Sequence, residues 1–172
     1  AVVNGVVLIG CSDGYLRCFS EFEGELLWAT YLGGGELTSP AIADNTVFIT
    51  SPYVYAVDML TGAKLWKYQT RWPLVSSAAV ADGLVFVGGE NDDRVFALEQ
   101  NSGRLVWSFR TSGWVTSPAV DSCKNLVIAG CRDTRTWCLD KRTGNLKWQY
   151  ISAANHQSAP TITADGLVYM GS

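Results

Sequence analysis

Short apolar runs separated by turn residues recur along the whole chain. In the second repeat of this pattern the runs cover residues 39–43, 46–50, 54–58 and 64–70. Runs of this length, bounded by Gly, Asn, Asp and Ser, are typical of β-strands, and the spacing of the apolar residues gives no helical period. Each repeat is therefore predicted to form an antiparallel meander of four strands.

A glycine followed four positions later by a tryptophan marks each repeat. The four copies lie 38 to 41 residues apart, and a period near 40 predicts a repeat architecture. They pair Gly24 with Trp28, Gly62 with Trp66, Gly103 with Trp107, and Gly144 with Trp148. Because these residues recur, we expect them to serve the scaffold, and we look for function where the repeats differ. The repeats are placed at approximately 1–31, 38–70, 76–111 and 116–152, followed by half a repeat at 158–172.

Turn residues join the first two runs of each repeat. The junctions are Asn4-Gly5, Asp44-Asn45, Asp82-Gly83 and Asp165-Gly166. Such pairs tolerate a positive φ at both central positions of a type I′ hairpin turn. The fourth repeat departs from this pattern, because residues 122–125 imply a longer loop.

The predicted strands are apolar on both faces, as Ala56 and its neighbour Val57 illustrate. A sheet with one face in water alternates polar and apolar residues, so these sheets are predicted to be covered on both sides. Four-stranded antiparallel sheets covered by copies of themselves describe an all-β fold, the β-propeller, in which the sheets pack radially as blades. The four tryptophans are large enough to fill the space between blades, and we expect all of them to be buried there. The Gly-His and Trp-Asp signatures of a WD40 propeller are missing.

One repeat also resembles a known family. It reads Ala56-x-Asp58-x-x-Thr61-Gly62-x-x-x-Trp66, which resembles the tryptophan-docking motif of the propellers typified by pyrroloquinoline-quinone (PQQ) dehydrogenases. The other repeats keep the motif in whole or in part, so the resemblance covers the whole chain and implies that the four glycines and tryptophans dock blades. Family members usually close with about seven or eight blades, whereas about four and a third repeats are present here. We expect part of a larger propeller, whose terminal strands self-associate or pair with other sequence.

Composition excludes several classes of partner. The formal net charge is −3 and no basic run occurs, so nucleic acid is not an expected partner. Apolar stretches such as residues 6–9 are too short to span a bilayer. With 48% hydrophobic residues, the chain has enough apolar surface for a sizeable core.

Four of the five cysteines follow the repeat. Cys11 and Cys18 occupy the same two positions as Cys131 and Cys138 three repeats later. This symmetry favours small apolar packing positions over disulfides or a metal site, since no CxxC or Cys/His cluster occurs. Unpaired thiols fit a reducing compartment such as the cytoplasm better than an oxidising one, and the periplasm stays open as an alternative.

The loops at one rim of the predicted disc carry the candidate binding residues. Aligning the connections between repeats places Glu36, Leu74, Trp114 and His156 at one equivalent position. Beside them lie Arg71, Trp72, Asn155 and Gln157. The other loops of this rim contribute Asp13, Tyr15, Tyr53, Glu90, Asn91, Asp92, Asp93, Arg132, Asp133 and Arg135. Loops on rigid scaffolds vary because they bind or because they drift, and the sequence leaves both interpretations open.

Catalytic chemistry has little support in the sequence. His156 is the single histidine, and no partner or orienting group is placed beside it. The acidic run 90–93 offers oxygen ligands for calcium but lacks the EF-hand pattern. The family resemblance implies a vicinal cysteine pair and a calcium cluster around PQQ in a working dehydrogenase, and no adjacent cysteines occur here. We expect no catalytic residue, no metal and no cofactor.

The leading functional hypothesis is a non-catalytic propeller that binds a protein or a small ligand on its loop rim. In lacking cofactor residues, the chain resembles the PQQ-type propellers of outer-membrane barrel assembly. One alternative is a fragment of a PQQ-dependent dehydrogenase, with PQQ and calcium bound by residues elsewhere. Another is the accessory propeller of an adenylate-forming enzyme.

Overall fold

The computed structural model describes residues 1–171, which form eighteen β-strands and no α-helix. Blade 1 consists of β1 (Val2–Val3), β2 (Val6–Gly10), β3 (Tyr15–Ser20) and β4 (Leu26–Tyr31). Blade 2 consists of β5 (Ala41–Ala43), β6 (Thr46–Thr50), β7 (Val54–Asp58) and β8 (Lys64–Tyr68). Blade 3 consists of β9 (Ala79–Ala81), β10 (Leu84–Gly88), β11 (Arg94–Glu99) and β12 (Leu105–Arg110). Blade 4 consists of β13 (Ala119–Asp121), β14 (Leu126–Gly130), β15 (Arg135–Asp140) and β16 (Leu146–Ile151), and the half-blade consists of β17 (Thr161–Ile162) and β18 (Val168–Tyr169).

Every blade is an antiparallel meander in chain order. Each of the four complete sheets pairs its first strand with its second, its second with its third, and its third with its fourth. The first strands of neighbouring sheets contact one another, β5 with β9, β9 with β13, and β13 with β17. The blades therefore radiate from a common axis, and the predicted all-β propeller fold is confirmed. Over residues 1–171 the sheets form an open arc and not a closed ring.

The hairpins between the first two strands follow the predicted turn chemistry in three blades. Both central residues have positive φ at Asn4-Gly5, Asp44-Asn45 and Asp82-Gly83. The prediction is wrong for the half-blade, where Gly166 has a positive φ of 85° and Asp165 does not. Residues between β13 and β14 form the longer loop that the sequence predicts.

A small residue lies opposite the tryptophan in every blade. The cross-strand pairs are Cys18 with Trp28, Ala56 with Trp66, Ala97 with Trp107, and Cys138 with Trp148. A β-bulge follows immediately after each small residue. The small side chain leaves room for the indole ring, and the bulge adds local twist at the same level of each sheet.

The core lies between blades and not within any one of them. The second and third strands of blades 2, 3 and 4 are buried on both faces. One apolar cluster joins blades 1 and 2 around Leu8 and Val47, a second joins blades 2 and 3 around Phe48 and Val85, and a third joins blades 3 and 4. Each blade therefore completes the core of its neighbour, as in other repeat proteins.

Three of the four tryptophans reach into the following blade. The indole N–H groups donate hydrogen bonds of 2.9 to 3.1 Å, from Trp28 to the Met59 carbonyl, from Trp66 to that of Gln100, and from Trp107 to that of Lys141. A glycine of the same following blade packs on each ring, with Gly62 on Trp28, Gly103 on Trp66 and Gly144 on Trp107. A Cβ atom at any of these glycines would lie 2.5 to 2.7 Å from the ring, closer than packed atoms approach.

Burial of the tryptophans decreases where the following blade is incomplete. Trp107 is 9% exposed, and Trp28 and Trp66 are partly buried. The expectation of four buried tryptophans is wrong for Trp148, which is 41% exposed. The half-blade that follows it has no third and fourth strands within residues 1–171, so no glycine turn packs on this ring.

Candidate functional site

Loops from three blades surround a pocket of about 140 Å³ at the rim. The connections before β9, β13 and β17 form one part of its wall, and the loops after β10 and β14 form the rest. The lining residues are Val75, Ser76, Glu90, Trp114, Val115, Thr116, Arg132 and Gln157. The structure thus brings together four rim candidates from the sequence, Glu90, Trp114, Arg132 and Gln157.

Arg132 and Trp114 form the chemical centre of this pocket. The guanidinium carbon of Arg132 lies 4.1 Å from the centre of the Trp114 ring, which is cation–π geometry. The Arg132 backbone N–H also donates a 2.9 Å hydrogen bond to the Trp114 carbonyl, so the two loops are tied together. Within residues 1–171, Arg132 forms no ion pair with a carboxylate. Its charge is available to a bound group.

Hydroxyl side chains anchor the rim loops to their own blades. Ser76 Oγ accepts a 2.7 Å hydrogen bond from the Gly88 N–H and donates a 2.8 Å bond to the Gly88 carbonyl. Thr116 Oγ1 accepts a 3.2 Å bond from the Gly130 N–H. The same position holds Thr38 in blade 2, bonded to Thr50 at the end of β6, and Ser158 in the half-blade, bonded to Gly171 just after β18. This contact was not predicted, although the sequence has a hydroxyl residue two positions before Pro40, Pro118 and Pro160.

A second rim pocket continues the first toward blade 1. It has a volume of about 410 Å³ and is lined by Glu36, Leu37, Thr38, Ser39, Val75 and Ser77. Val75, which is 58% exposed, lines both pockets. We call the two pockets together the rim groove. It runs across the first strands of the blades and carries Glu36 toward one end and Arg132 toward the other.

Other rim candidates lie outside the rim groove. Arg71 stacks over Trp72 at 5.7 Å, and Trp72 is 46% exposed, but neither side chain lines either pocket. Asn155 is exposed, and it also lies outside both pockets. Leu74 is fully buried and packs with Phe48 and Val54 between blades 2 and 3.

His156 does not reach the rim surface, contrary to the expectation of a rim binding residue. Its side chain is 4% exposed and lies against Gly130 between blade 4 and the half-blade. The Nε2 atom lies 3.2 Å from Thr136 Oγ1 and 3.1 Å from Ser152 Oγ, while Nδ1 is buried with no hydrogen-bond partner. The imidazole fills a space that an apolar side chain fills at other blade junctions, so its burial is a matter of packing.

The acidic loops form local ion pairs and do not converge on one point. Asp133 pairs with Arg135 at 3.4 Å, and Asp13 pairs with Arg17 at 2.6 Å. The hydrogen bond from the Arg17 guanidinium lowers the pKa of Asp13 below its usual value. Glu90 lines the rim groove. One carboxylate oxygen of Asp92 is buried without a hydrogen-bond partner. Over residues 1–171, no three His, Cys, Asp or Glu side chains are grouped to hold a metal ion.

The part of the chain that the structure describes contains no helix long and apolar enough to cross a membrane.

The fold and the interblade contacts define the class as a β-propeller built from PQQ-like repeats. A family model described as outer membrane protein assembly factor BamB matches residues 1–70 and 51–172. The chain belongs to this family.

Two curated assembly factors match about half of the chain. This chain is 34% identical over 89 residues to BamB of Shewanella oneidensis, and the match covers 48% of this chain and 22% of that protein. It is 27% identical over 92 residues to BamB of Yersinia pestis, covering 49% of this chain and 23% of that protein. A shorter stretch of 53 residues is 42% identical to the quinoprotein alcohol dehydrogenase PedH of Pseudomonas putida, covering 27% of this chain and 9% of the enzyme. The chain thus covers less than a quarter of the length of these relatives.

Solved structures match nearly the whole chain. BamB from Moraxella catarrhalis superimposes with a TM-score of 0.77 at 23% identity, over 96% of this chain and 57% of that one. The computationally designed Ika8 protein superimposes with a TM-score of 0.85 at 20% identity, over 99% of this chain and 56% of that one. At such low identity these likenesses show the shared fold.

Proposed function

We propose that this chain is part of a non-catalytic propeller that binds an extended segment of a partner protein in the rim groove. The observation that carries the proposal is the stack of Arg132 on Trp114, with the Arg132 charge free of any carboxylate in residues 1–171. Arginine and tryptophan are among the residues most enriched at binding hot spots. Rigid blades hold the loops that carry this pair, as binding scaffolds do.

The groove has the chemistry of a peptide site. Val75 offers exposed apolar surface between the two pockets, and Arg132 offers a cation at one end. A partner segment with an aliphatic or aromatic side chain and a neighbouring carboxylate satisfies both features, because a carboxylate forms strong charge-assisted hydrogen bonds with a guanidinium. Two relatives and the family model carry the name assembly factor, which supports a protein partner over a small ligand.

A peptide array tests the proposal. Immobilised ten-residue peptides that combine Asp or Glu with Leu, Ile or Phe are probed with the wild-type chain and with W114A and R132A. Both variants are expected to weaken binding at least about tenfold, the scale of a hot-spot residue. The matched controls are R71A and W72A, since this exposed pair has the same stacking but lies outside the groove. Equal losses in all four variants, or losses only in the controls, would contradict the proposal.

The match to PedH supports a second candidate, a piece of a quinoprotein dehydrogenase whose cofactor residues lie elsewhere in the protein. A titration with PQQ in the presence of calcium, followed by tryptophan fluorescence, separates the two candidates. We expect no saturable binding to this chain. Micromolar binding accompanied by alcohol oxidation would replace the scaffold proposal by the enzyme.

We also propose that copies of this chain associate through the two ends of the arc. Edge blades present surfaces that neighbouring blades cover elsewhere in the fold, and such surfaces favour association.

A further inference from the structure

A pocket of about 480 Å³ lies between blades 1 and 2, separate from the rim groove. Tyr31 of β4 and the following Leu32 and Gly33 form one wall, and Tyr55 of β7 and residues 64–67 of β8 form the other. None of these residues lines the rim groove. We call this space the blade 1–2 pocket. Its volume lies within the range of about 300–1,000 Å³ that holds small organic ligands.

Tyr55 presents an unpartnered hydroxyl to the blade 1–2 pocket. The residue is 4% exposed and packs in the apolar cluster between blades 1 and 2. Within residues 1–171 its hydroxyl forms no hydrogen bond, yet it is not sealed from solvent. Burial, with the nearby phenols of Tyr53 and Tyr31, raises the pKa of Tyr55 above its usual value, so the group stays a donor at neutral pH. A polar group in such a place favours a ligand that pairs with it.

Gly33 keeps the approach to this hydroxyl open. A Cβ atom at Gly33 would lie 3.6 Å from the Tyr55 oxygen, beside the path into the pocket. The φ of Gly33 is 139°, a conformation that favours glycine. The loop is also anchored, because the Leu32 N–H donates a 2.9 Å hydrogen bond to the Gly14 carbonyl. Access to the hydroxyl is therefore built into the folded backbone.

Two lysines supply positive charge to the same pocket. Lys64 and Lys67 both line it, and they lie opposite Val57 and Tyr55 on the neighbouring strand. Because Val57 and Tyr55 pack against blade 1, both lysines lie on the face of the sheet toward blade 1. Within residues 1–171 neither lysine forms an ion pair, and no Asp or Glu lines the pocket.

Blades 3 and 4 lack this combination of groups. They hold neutral residues at the equivalent positions, namely Phe96 opposite Ser108, Trp137 opposite Gln149, and Leu105 and Leu146 in place of Lys64. The same junction therefore forms without the hydroxyl and without either charge. The polar groups of blade 2 are not needed for packing, and this difference between repeats favours binding.

We propose that the blade 1–2 pocket binds a small organic phosphate, held by the Tyr55 hydroxyl and by the ammonium groups of Lys64 and Lys67. A phosphate monoester carries a charge of about −1.5 to −2 at pH 7 and three acceptor oxygens. These match two cations and one hydroxyl donor, whereas a carboxylate leaves one cation without a counterion. Leu32 and Leu65 offer apolar surface to the organic group. This site is independent of the protein partner proposed for the rim groove.

Isothermal titration calorimetry with phenyl phosphate tests the proposal. The wild-type chain is expected to bind it with a Kd below about 1 mM, a modest affinity for a ligand of this size. Y55F removes a single oxygen, and K67A removes one cation. Each should weaken binding about tenfold, as loss of a hydrogen bond to a charged group does. Y55F should fold normally, because Phe96 occupies the equivalent position of blade 3.

Matched controls separate the pocket from the rest of the surface. Y53F removes a tyrosine hydroxyl that does not line the pocket, and K124A removes an exposed lysine of blade 4. W114A alters the rim groove and leaves the blade 1–2 pocket intact. All three variants should bind phenyl phosphate like the wild type. Circular dichroism should show that every variant keeps the β-fold.

Three further ligands define the chemistry of the site. Phenol lacks the phosphate and inorganic phosphate lacks the ring, so both should bind at least about tenfold more weakly than phenyl phosphate. Benzoate, with one charge, should also bind more weakly, and tighter binding of benzoate would overturn the assignment of phosphate.

Two other results would overturn the site itself. One is the absence of wild-type binding at about 10 mM phenyl phosphate. The other is an affinity that is indifferent to Y55F and falls equally in K67A and K124A, which would indicate attraction to surface charge in general.

Discussion

Trp107 and Trp148 occupy the same place in successive sheets, yet their surroundings differ. Each lies opposite a small residue of the third strand, and each follows a glycine by four positions. Trp107 is 9% exposed because Gly144 of blade 4 packs on it, whereas Trp148 is 41% exposed. The difference teaches that burial in this fold is supplied by the next repeat and not by the repeat that carries the residue.

The largest effect should come from truncating the two tryptophans. W107A is expected to lower the free energy of unfolding by about 3–5 kcal/mol, since it leaves a cavity in a junction and an unpaired Lys141 carbonyl. W148A should cost less than about 1 kcal/mol when the chain is monomeric, because its ring contacts less of the protein. Urea denaturation of dilute samples measures both values. Equal losses would contradict the neighbour dependence of burial.

The glycine turns give the next largest contrast. G144A places a methyl group 2.6 Å from the Trp107 ring at a φ of 72°, so we expect a loss of about 2–4 kcal/mol. G24A has a similar φ of 69° but meets no atom within 4 Å. It should therefore cost only the backbone strain, about 1–2 kcal/mol. Thermal unfolding of both variants checks the order, and a larger loss in G24A would contradict it.

Acid should destabilise the turn that packs on Trp107, at residues 140–144, more than the equivalent turn of blade 1. The backbone N–H of Thr143, with Lys147 and the Thr143 hydroxyl, lowers the pKa of Asp140 to about 2. A carboxyl whose pKa is depressed in the folded state stabilises the fold above its unfolded pKa of about 4, and this contribution is lost as the pH falls toward 2. D140N should reduce the dependence of stability on pH between about 4 and 2. S20A, at the equivalent position of blade 1, should leave that dependence unchanged.

The thiols give the smallest contrast. Cys131 is buried, and burial raises the pKa of its thiol to about 11, so it should stay unreactive toward a disulfide reagent at about pH 8. The equivalent Cys11 of blade 1 is only partly buried, and Cys123 is exposed. We expect rapid labelling of Cys123 and Cys11 in the native protein. C11S should remove one rapidly labelled thiol and C131S none; the reverse would contradict the comparison.

Most of the fold follows from the sequence because its signals are local and repeated. The turn pairs such as Asn4-Gly5 act through backbone sterics that need no tertiary context, and three of them have the predicted positive φ at both positions. The period of the tryptophans identified the blades for the same reason. Asp165-Gly166 failed where the sheet is only two strands wide, so the flanking strands impose less twist on the turn.

The candidate site was predicted less well because it depends on loop conformation. An alignment placed Glu36, Leu74, Trp114 and His156 at one position, but Leu74 and His156 are buried. In the other two loops the buried side chain is one residue later, at Leu37 and Val115. Which of two adjacent residues enters the junction depends on the path of the loop, and hydrophobicity alone would not have identified His156.

The hydroxyl contacts of Ser76 and Thr116 make each rim loop part of its own blade. Val75 nevertheless belongs to the connection of blade 3, whereas Trp114 and Arg132 both belong to blade 4. The width of the groove therefore depends on the angle between blades 3 and 4. A ligand that spans the groove binds best at one value of that angle. By linkage, a segment that fits one set of blade angles also favours those angles, so binding at the rim and a change in the angles between blades 3 and 4 should alter each other's equilibrium constants by the same factor.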